Sequence, residues 1–140
     1  MTLEGGALMK VSELRLVVTT DDYDAAVAFY RDTLGLSESA EYLSEDQGRV
    51  IILDAGRATL EISDPGHAVY VDDVEVGGRV AGHLRVAFGV PDAATATDRL
   101  TEAGAALIAP PTRTPWNSLN SRLNGPAGLQ LTLFQDLASG

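Results

Sequence analysis

The 140-residue chain has 45% hydrophobic residues and no cysteine, a composition typical of a globular protein without disulfides, thiolate metal ligands or a cysteine nucleophile. Twenty acidic against ten basic residues give a net charge of −10, which disfavours nucleic acid and anionic membrane surfaces as partners. The longest apolar runs are too short to cross a membrane and the first residues lack the features of a signal peptide, so the sequence predicts a cytoplasmic protein.

The first half of the chain predicts a strand, a helix and three more strands. Leu14, Leu16 and Val18 alternate with other side chains, the period of two expected of a strand with one face on a core. Asp21 or Asp22 then caps a helix, because a short carboxylate can accept hydrogen bonds from the first free backbone N–H groups. The residues at helical spacing are Ala26, Phe29, Tyr30, Thr33 and Leu34, and the three strands follow at about residues 37–43, 49–54 and 57–63.

The second half predicts the same order of elements. A strand over residues 83–90 leads to a helix that opens at Pro91-Asp92 and is stopped by Gly104, as Gly35 stops the first helix. Further strands are expected near residues 105–109, 117–123 and 128–134. Residues 64–82 are expected to form a linker with one short helix around residues 68–74, and residues 1–10 a flexible leader.

The two halves resemble each other at an offset of about 70 residues. Glu13–Val18 realigns on His83–Phe88, and Asp22 falls on Asp92. Two copies of a module this long cannot form a solenoid, so the repeat predicts two fused modules. The predicted fold is α+β, with two βαβββ modules related by a pseudo-twofold axis that form a curved mixed-sheet cup. The modules cover about residues 11–63 and 83–135 of a single domain spanning residues 11–140.

Strand alternation also predicts which side chains line the cup. If the aliphatic face of each sheet covers the helices, the opposite face is a polar hollow with a few apolar walls, a composition typical of small-molecule sites. A merely solvated face is the alternative. The residues on this face are Glu13, Arg15, Val17, Thr59, Glu61, Ser63, His83, Arg85, Ala87, Gln130, Thr132 and Phe134.

Four motifs stand out along the chain. They are Leu14–Val18 leading to Asp22, Ala28–Leu36 at the end of the first helix, Phe88–Asp92, and the turn Gly125–Gly128 before the last strand. These motifs resemble the vicinal oxygen chelate superfamily, which includes glyoxalase I, extradiol dioxygenases and the fosfomycin- and bleomycin-resistance proteins. The resemblance implies this superfamily's fold, a small organic ligand and a twofold homodimer.

The resemblance also implies where a metal would bind. Metal-dependent members carry a His or Gln, a Glu, a His and a Glu at the positions of Arg15, Glu61, Arg85 and Thr132. An arginine has no lone pair to offer and would repel a cation, so no metal and no cofactor are expected, as in the bleomycin-resistance-like members. A displaced site made of Glu13, Glu61 and His83 is the alternative.

The expected ligand-binding residues are Arg15, Glu61, Arg85, Trp116, Thr132, Glu13, His83 and Phe134. Arg15 and Arg85 either clamp an anionic ligand or form an internal network with Glu61. Trp116 either stacks on a planar ligand or lies in the core or a dimer interface. His67, in the linker, is expected on the surface.

Three functions follow from these patterns. The first is metal-free binding and sequestration of a small molecule, for example an antibiotic. The second is a metal-dependent lyase, isomerase or dioxygenase that uses the displaced site. The third is a non-catalytic structural or interaction dimer whose cup is filled by its own side chains. The ligand's charge stays open, because the net charge of −10 would attract a cation to Glu61 and Glu13.

Overall fold

The computed structural model describes residues 10–44, 48–78 and 80–138, so the predicted leader lies almost wholly outside the described residues. The strands are β1 Glu13–Thr19, β2 Ser37–Leu43, β3 Arg49–Ala55, β4 Ala58–Ser63, β5 Leu84–Gly89, β6 Ala106–Arg113, β7 Ser118–Asn124 and β8 Gln130–Asp136. The α-helices are α1 Tyr23–Val27, α2 Pro65–Glu75 and α3 Ala93–Glu102. The strands form one mixed sheet in the order β2-β3-β4-β1-β5-β8-β7-β6, and the predicted α+β fold of two βαβββ modules is confirmed.

The chain divides into two compact units. Among the described residues, the first unit lies within Arg15–Arg85, and the second contains residues 10–14 together with residues 86–138. Each unit has its own apolar core, as expected when a helix covers one face of a sheet. The core of the first unit comprises Tyr23, Val27, Ile51, Leu53 and Ile62, and that of the second comprises Val90, Ala93, Ala96, Leu123 and Leu133.

The first helix ends in a wider π-turn, Ala28–Thr33, which changes the residues that it buries. The N–H of Leu34 donates to the carbonyl oxygen of Phe29, five residues back, at 2.8 Å. The wider turn rotates the side chains that follow away from their α-helical positions. Phe29 and Leu34 are more than half exposed, and Tyr23 and Val27 fill the core instead. The predicted apolar face of this helix is therefore wrong at its C-terminal end.

Strand β6 is longer than predicted. The sequence predicts a strand near residues 105–109, but the strand continues through Pro110 and Pro111 to Arg113. Proline lacks the N–H that a central strand needs, and β6 tolerates it because it lies at the edge of the sheet. The pairing with β7 is irregular between Ala109 and Thr112, where the prolines lie.

Helix α2 lies in the predicted linker and packs against β3 and β4 of the first unit. It begins three residues before the predicted helix, because the Asp64 carboxylate accepts the N–H of His67 at 2.9 Å and Pro65 suits the first helical turn. Its buried residues are Ala68, Val71, Asp72 and Glu75. No helix in the described part of the chain has the length and apolar content needed to span a membrane.

Because α2 covers β4, the polar face of the first unit is buried. Glu61 and Ser63 on β4 are 8% and 1% exposed, although the alternation pattern places them in an open hollow. On β1, Val17 is buried while Leu14, expected in the core, is 42% exposed. The prediction of a single apolar core face is therefore wrong for these strands, because the linker helix supplies a second layer that local alternation does not reveal.

Candidate functional site

A small polar cavity lies beneath α2, entirely within the first unit. Its walls include Val17 of β1, Glu61 and Ser63 of β4, His67 and Asp72 of α2, and Arg85 of β5. The space open to the centre of a water-sized sphere is about 10 Å³. This volume accommodates about one water molecule. Charged and polar side chains therefore share the lining of this small space with apolar ones such as Val17 and Val71.

Arg15 and Glu61, two of the predicted site residues, form an ion pair on neighbouring strands. Nη1 of Arg15 lies 3.5 Å from Oε1 of Glu61. Nε of Arg15 donates to Oγ1 of Thr59 at 3.1 Å, which fixes the guanidinium along β4. The side chains of Arg15 and Glu61 are 22% and 11% exposed, so the pair is mostly buried and keeps a small surface in contact with solvent.

Arg85 and Asp72 bring opposite charges to the wall of the same cavity. Arg85 is 8% exposed and Asp72 only 1%. Oδ2 of Asp72 accepts the backbone N–H groups of Val80 and Ala81, each at 3.0 Å, and so ties α2 to the loop before β5. Removing a carboxylate from water is costly unless it is hydrogen-bonded or paired, and these contacts offset that cost.

His67 is half-buried on α2 and contributes to the cavity wall, so its predicted surface position is wrong. Its ring atom Nδ1 is buried and has no hydrogen-bond partner among the described residues. Burial lowers the pKa of His67, and the positive charge of Arg85 lowers it further. The carboxylates that oppose this shift are Glu61, Asp64 and Glu75. The neutral imidazole is therefore the favoured form in this environment.

Gly48, just before β3, allows the start of α2 to approach the sheet closely. A Cβ at this position would overlap the backbone nitrogen of His67 and lie 2.6 Å from the carbonyl carbon of Gly66. Gly66 itself has room, since its nearest contact to an added Cβ is 3.5 Å. Only glycine at position 48 is compatible with α2 docked in this way.

The remaining predicted residues of β1 and β5 have structural contacts of their own. Nδ1 of His83, the residue before β5, lies 2.8 Å from the carbonyl oxygen of Thr19. His83 is exposed, and Glu13 at the beginning of β1 is partly buried.

In the second unit, Thr132, Phe134 and Trp116 lie in different environments. Thr132 on β8 is 2% exposed and pairs with Arg122 of β7. Phe134 covers Gly89, where an added Cβ would lie 3.0 Å from the ring. Trp116 lies in the turn between β6 and β7 and is 45% exposed, so a core position for it is wrong.

Comparison with known families supports the fold derived from the repeat. Residues 14–133 match the model of the Glyoxalase/Bleomycin resistance protein/Dioxygenase superfamily. The chain belongs to this superfamily. The resemblance seen in the sequence motifs is thereby confirmed. No curated protein matches the chain in sequence.

Solved structures of superfamily members share the fold at low sequence identity. Methylmalonyl-CoA epimerase from Mycobacterium tuberculosis superposes with a TM-score of 0.64 at 20% identity, over 94% of this chain and 91% of that one. A Streptomyces coelicolor methylmalonyl-CoA epimerase in complex with 2-nitronate-propionyl-CoA gives 0.63 at 22% identity, over 94% and 99%. A superfamily member from Vibrio splendidus 12B01 gives 0.59 at 13% identity, over 88% and 97%. Identities this low establish the common fold alone.

The side chains at the superfamily's metal positions do not fit a divalent cation. Arginines occupy two of the four positions, and the guanidinium of Arg15 lies next to Glu61, the carboxylate that would have to bind the ion. Within residues 10–44, 48–78 and 80–138, no three His, Asp or Glu side chains come together as a metal site would require. The displaced site of Glu13, Glu61 and His83 is therefore not formed.

His67 and Asp72 are the site residues that the sequence reading missed. A signal for them exists, because Asp64-Pro65 is a strong helix start. A helix that begins there places residues 68, 71, 72 and 75 on one face, at the spacing of i, i+3, i+4 and i+7. Two of these four residues, Asp72 and Glu75, are acidic, so the sequence does not identify this face as one that packs on the core.

Proposed function

We propose that this superfamily member binds a small organic anion at Arg15 and Arg85, without a divalent metal ion. The observation that carries the proposal is the position of Glu61, which pairs with Arg15 at 3.5 Å and shares the cavity wall with Arg85. The Glu61 carboxylate therefore already pairs with one of the two guanidinium groups and lines the same cavity as the other. A ligand carboxylate, phosphate or phenolate has the same chemistry as that side chain.

Arginine is well suited to this role. Its planar guanidinium binds carboxylates and phosphates through two parallel, charge-assisted hydrogen bonds. The Arg15 side chain is 22% exposed, so an anion arriving from solvent can contact it. A ligand anion would share or replace the contact between Arg15 and Glu61, which at 3.5 Å is longer than a strong charge-assisted bond.

The structural neighbours support an anionic ligand class. One of them, the Streptomyces coelicolor methylmalonyl-CoA epimerase, contains 2-nitronate-propionyl-CoA, a compound that carries phosphate groups. We include CoA thioesters among the candidate ligands for this reason. Trp116, Thr132 and Phe134 stay proposed ligand contacts, with Trp116 offering a flat and exposed aromatic surface.

The proposal is tested by titrating a matched panel of planar compounds. Benzoate and a CoA thioester serve as anions and benzamidine as the cation, with binding followed by calorimetry on the wild type, Arg15→Gln, Arg85→Gln and Glu61→Gln. Either arginine substitution should weaken anion binding by about ten- to hundredfold, equivalent to about 1.5 to 3 kcal/mol. Selective binding of benzamidine that survives Arg15→Gln and disappears in Glu61→Gln would reverse the assignment of ligand charge.

A non-catalytic structural role is the second candidate. The observation that favours it is the cavity beneath α2, which the protein's own side chains reduce to about the size of one water molecule. If no compound of the panel binds the wild type or the variants, this second function replaces the first.

The proposal includes a cytoplasmic homodimer that binds neither nucleic acid nor membranes. The absence of cysteine is compatible with a reducing compartment, and the net charge of −10 repels phosphate backbones and anionic lipids. The proposed dimer contact is the apolar surface at the end of the first helix, where Phe29 and Leu34 are 57% and 60% exposed.

A further inference from the structure

We propose that α2 is a displaceable lid over the anion site, and that Asp72 on this lid competes with the ligand for Arg85. The inference rests on the proposed function and deepens it by stating how access to the site is controlled. It follows from the size of the cavity, the charges that α2 buries, and the contacts that hold its two ends.

The size of the cavity requires a lid to move. Glu61 and Arg85 face a space that accommodates about one water molecule, and α2 forms one wall of that space through His67 and Asp72. Benzoate or any larger organic anion has many times the volume of a water molecule. A ligand that reaches Arg85 through this cavity therefore needs one of its walls to open, and α2 contributes His67, Ala68, Val71 and Asp72 to these walls.

The docked helix carries internal costs that opening would relieve. Nδ1 of His67 is buried without a hydrogen-bond partner among the described residues, whereas water would satisfy it in an open form. Asp72 and Glu75 are 1% and 4% exposed, so docking also removes two carboxylates from water. Arg85 lines the same cavity as Asp72. In this proposal, an external anion that binds Arg85 takes the place of the Asp72 carboxylate and favours opening.

The two ends of α2 are held differently, which indicates the direction of movement. The N-terminal end is fixed by the Asp64 cap and by Arg49, whose Nε lies 3.9 Å from Asp64. The C-terminal end runs into Gly77 and Gly78, and Gly77 has a φ of +87° that favours glycine. Asp72 ties this half of α2 to Val80 and Ala81, so the lid is expected to open together with the loop that carries these two residues.

Opening can be measured in the unliganded protein with a single cysteine. The chain has no native cysteine, so Ser63→Cys places one thiol beneath α2, and Ser121→Cys places a matched thiol in the core of the second unit beneath α3. Both serines are at most 1% exposed. If α2 opens locally, N-ethylmaleimide should label Ser63→Cys at least about tenfold faster than Ser121→Cys. Equal rates would show that only global unfolding exposes Ser63, and would overturn the lid.

The competition is tested by neutralising one acid of the lid at a time. Asp72→Asn should speed labelling of the Ser63→Cys reporter and tighten benzoate binding by about tenfold, because it removes the internal competitor. Asp73→Asn changes the neighbouring exposed carboxylate of the same helix and should change neither quantity. If Asp72→Asn leaves both quantities at the wild-type value, Asp72 does not compete with the ligand.

A second pair of variants keeps the test independent of Asp72. Gly48→Ala should push the start of α2 away from the sheet and speed labelling of the reporter, whereas Gly66→Ala should not, because its added methyl has room. Unchanged labelling in Gly48→Ala would also contradict the lid. Fast labelling with no anion binding in any variant would retain the lid and reject the proposed function, whereas anion binding with a protected Ser63→Cys would reject the lid alone.

Discussion

Nη1 of Arg15 lies 3.5 Å from Oε1 of Glu61, so these two side chains form an ion pair between neighbouring strands. The pair is neither a surface contact nor fully buried, at 22% and 11% side-chain exposure. Its contribution to the free energy of unfolding should therefore be larger than that of an exposed ion pair and smaller than the loss caused by breaking a fully buried one.

We expect Glu61→Gln to lower the free energy of unfolding by about 1 to 3 kcal/mol, because it removes the negative charge that pairs with the partly buried Arg15. Urea denaturation of the single variants Arg15→Gln and Glu61→Gln and of the double variant measures the coupling. A coupling energy near zero would show that the two side chains do not stabilise each other.

His67 should make stability depend on pH. Burial lowers its pKa in the folded protein, whereas the unfolded chain titrates at about 6.5. The unfolded state therefore binds more protons just below pH 6.5, so the contribution of the neutral imidazole is complete above that pH and is lost as the pH falls through the folded pKa. His67→Gln should flatten the stability curve over this window. The pKa measured by NMR provides the check, since a value above 6.5 would reverse the sign.

Removal of divalent ions should not affect the folded protein. Bound metal would stabilise the native state by mass action, but arginines at two ligand positions disfavour such binding. The thermal midpoint is therefore expected to be the same with and without a chelator. One tightly bound equivalent of zinc, nickel or iron that depends on Glu61 would contradict this expectation and would favour a metal-dependent enzyme.

Trp116 should report planar ligands. It is the only tryptophan and is 45% exposed, so ligand-induced quenching can be assigned to it alone. Trp116→Ala should weaken binding of planar anions while changing the free energy of unfolding by no more than about 0.5 kcal/mol. A large loss of stability with unchanged affinity would instead make Trp116 a structural residue.

The protein should have twice the mass of one chain in light scattering at micromolar concentration. Phe29→Glu places a charge in the proposed apolar contact and should yield monomers. Leu107→Glu changes another exposed side chain, on β6, and serves as the control. A wild-type monomer would contradict the homodimer.

The fold could be predicted because it depends on local patterns that occur twice. Strand β2, Ser37–Leu43, has the bounds that the sequence predicts, and Gly35 adopts the positive φ of +88° expected of a helix stop. The π-turn after α1 could not be predicted, since Phe29 and Leu34 have the spacing of an ordinary amphipathic helix.

The site could be predicted in part. Arg15 and Glu61 come together because equivalent positions of paired strands face the same way. The position of α2 depends on tertiary packing. Its buried side carries Asp72 and Glu75, two residue types that are normally exposed to solvent, so the sequence does not predict that this side is buried. A helix that packs on charged side chains lacks the apolar periodicity from which a buried helix face is predicted.

The two prolines of β6 also bear on aggregation. An edge strand normally exposes N–H and carbonyl groups that can recruit a strand from another chain, but Pro110 and Pro111 have no N–H to donate. The opposite edge, β2, carries exposed Glu38 and Glu41, and charged side chains on an edge strand disfavour its pairing with another chain. Both edges therefore disfavour the addition of further strands that would build a fibre. The proposed dimer would then form through side-chain surfaces and not through the edges of the sheet.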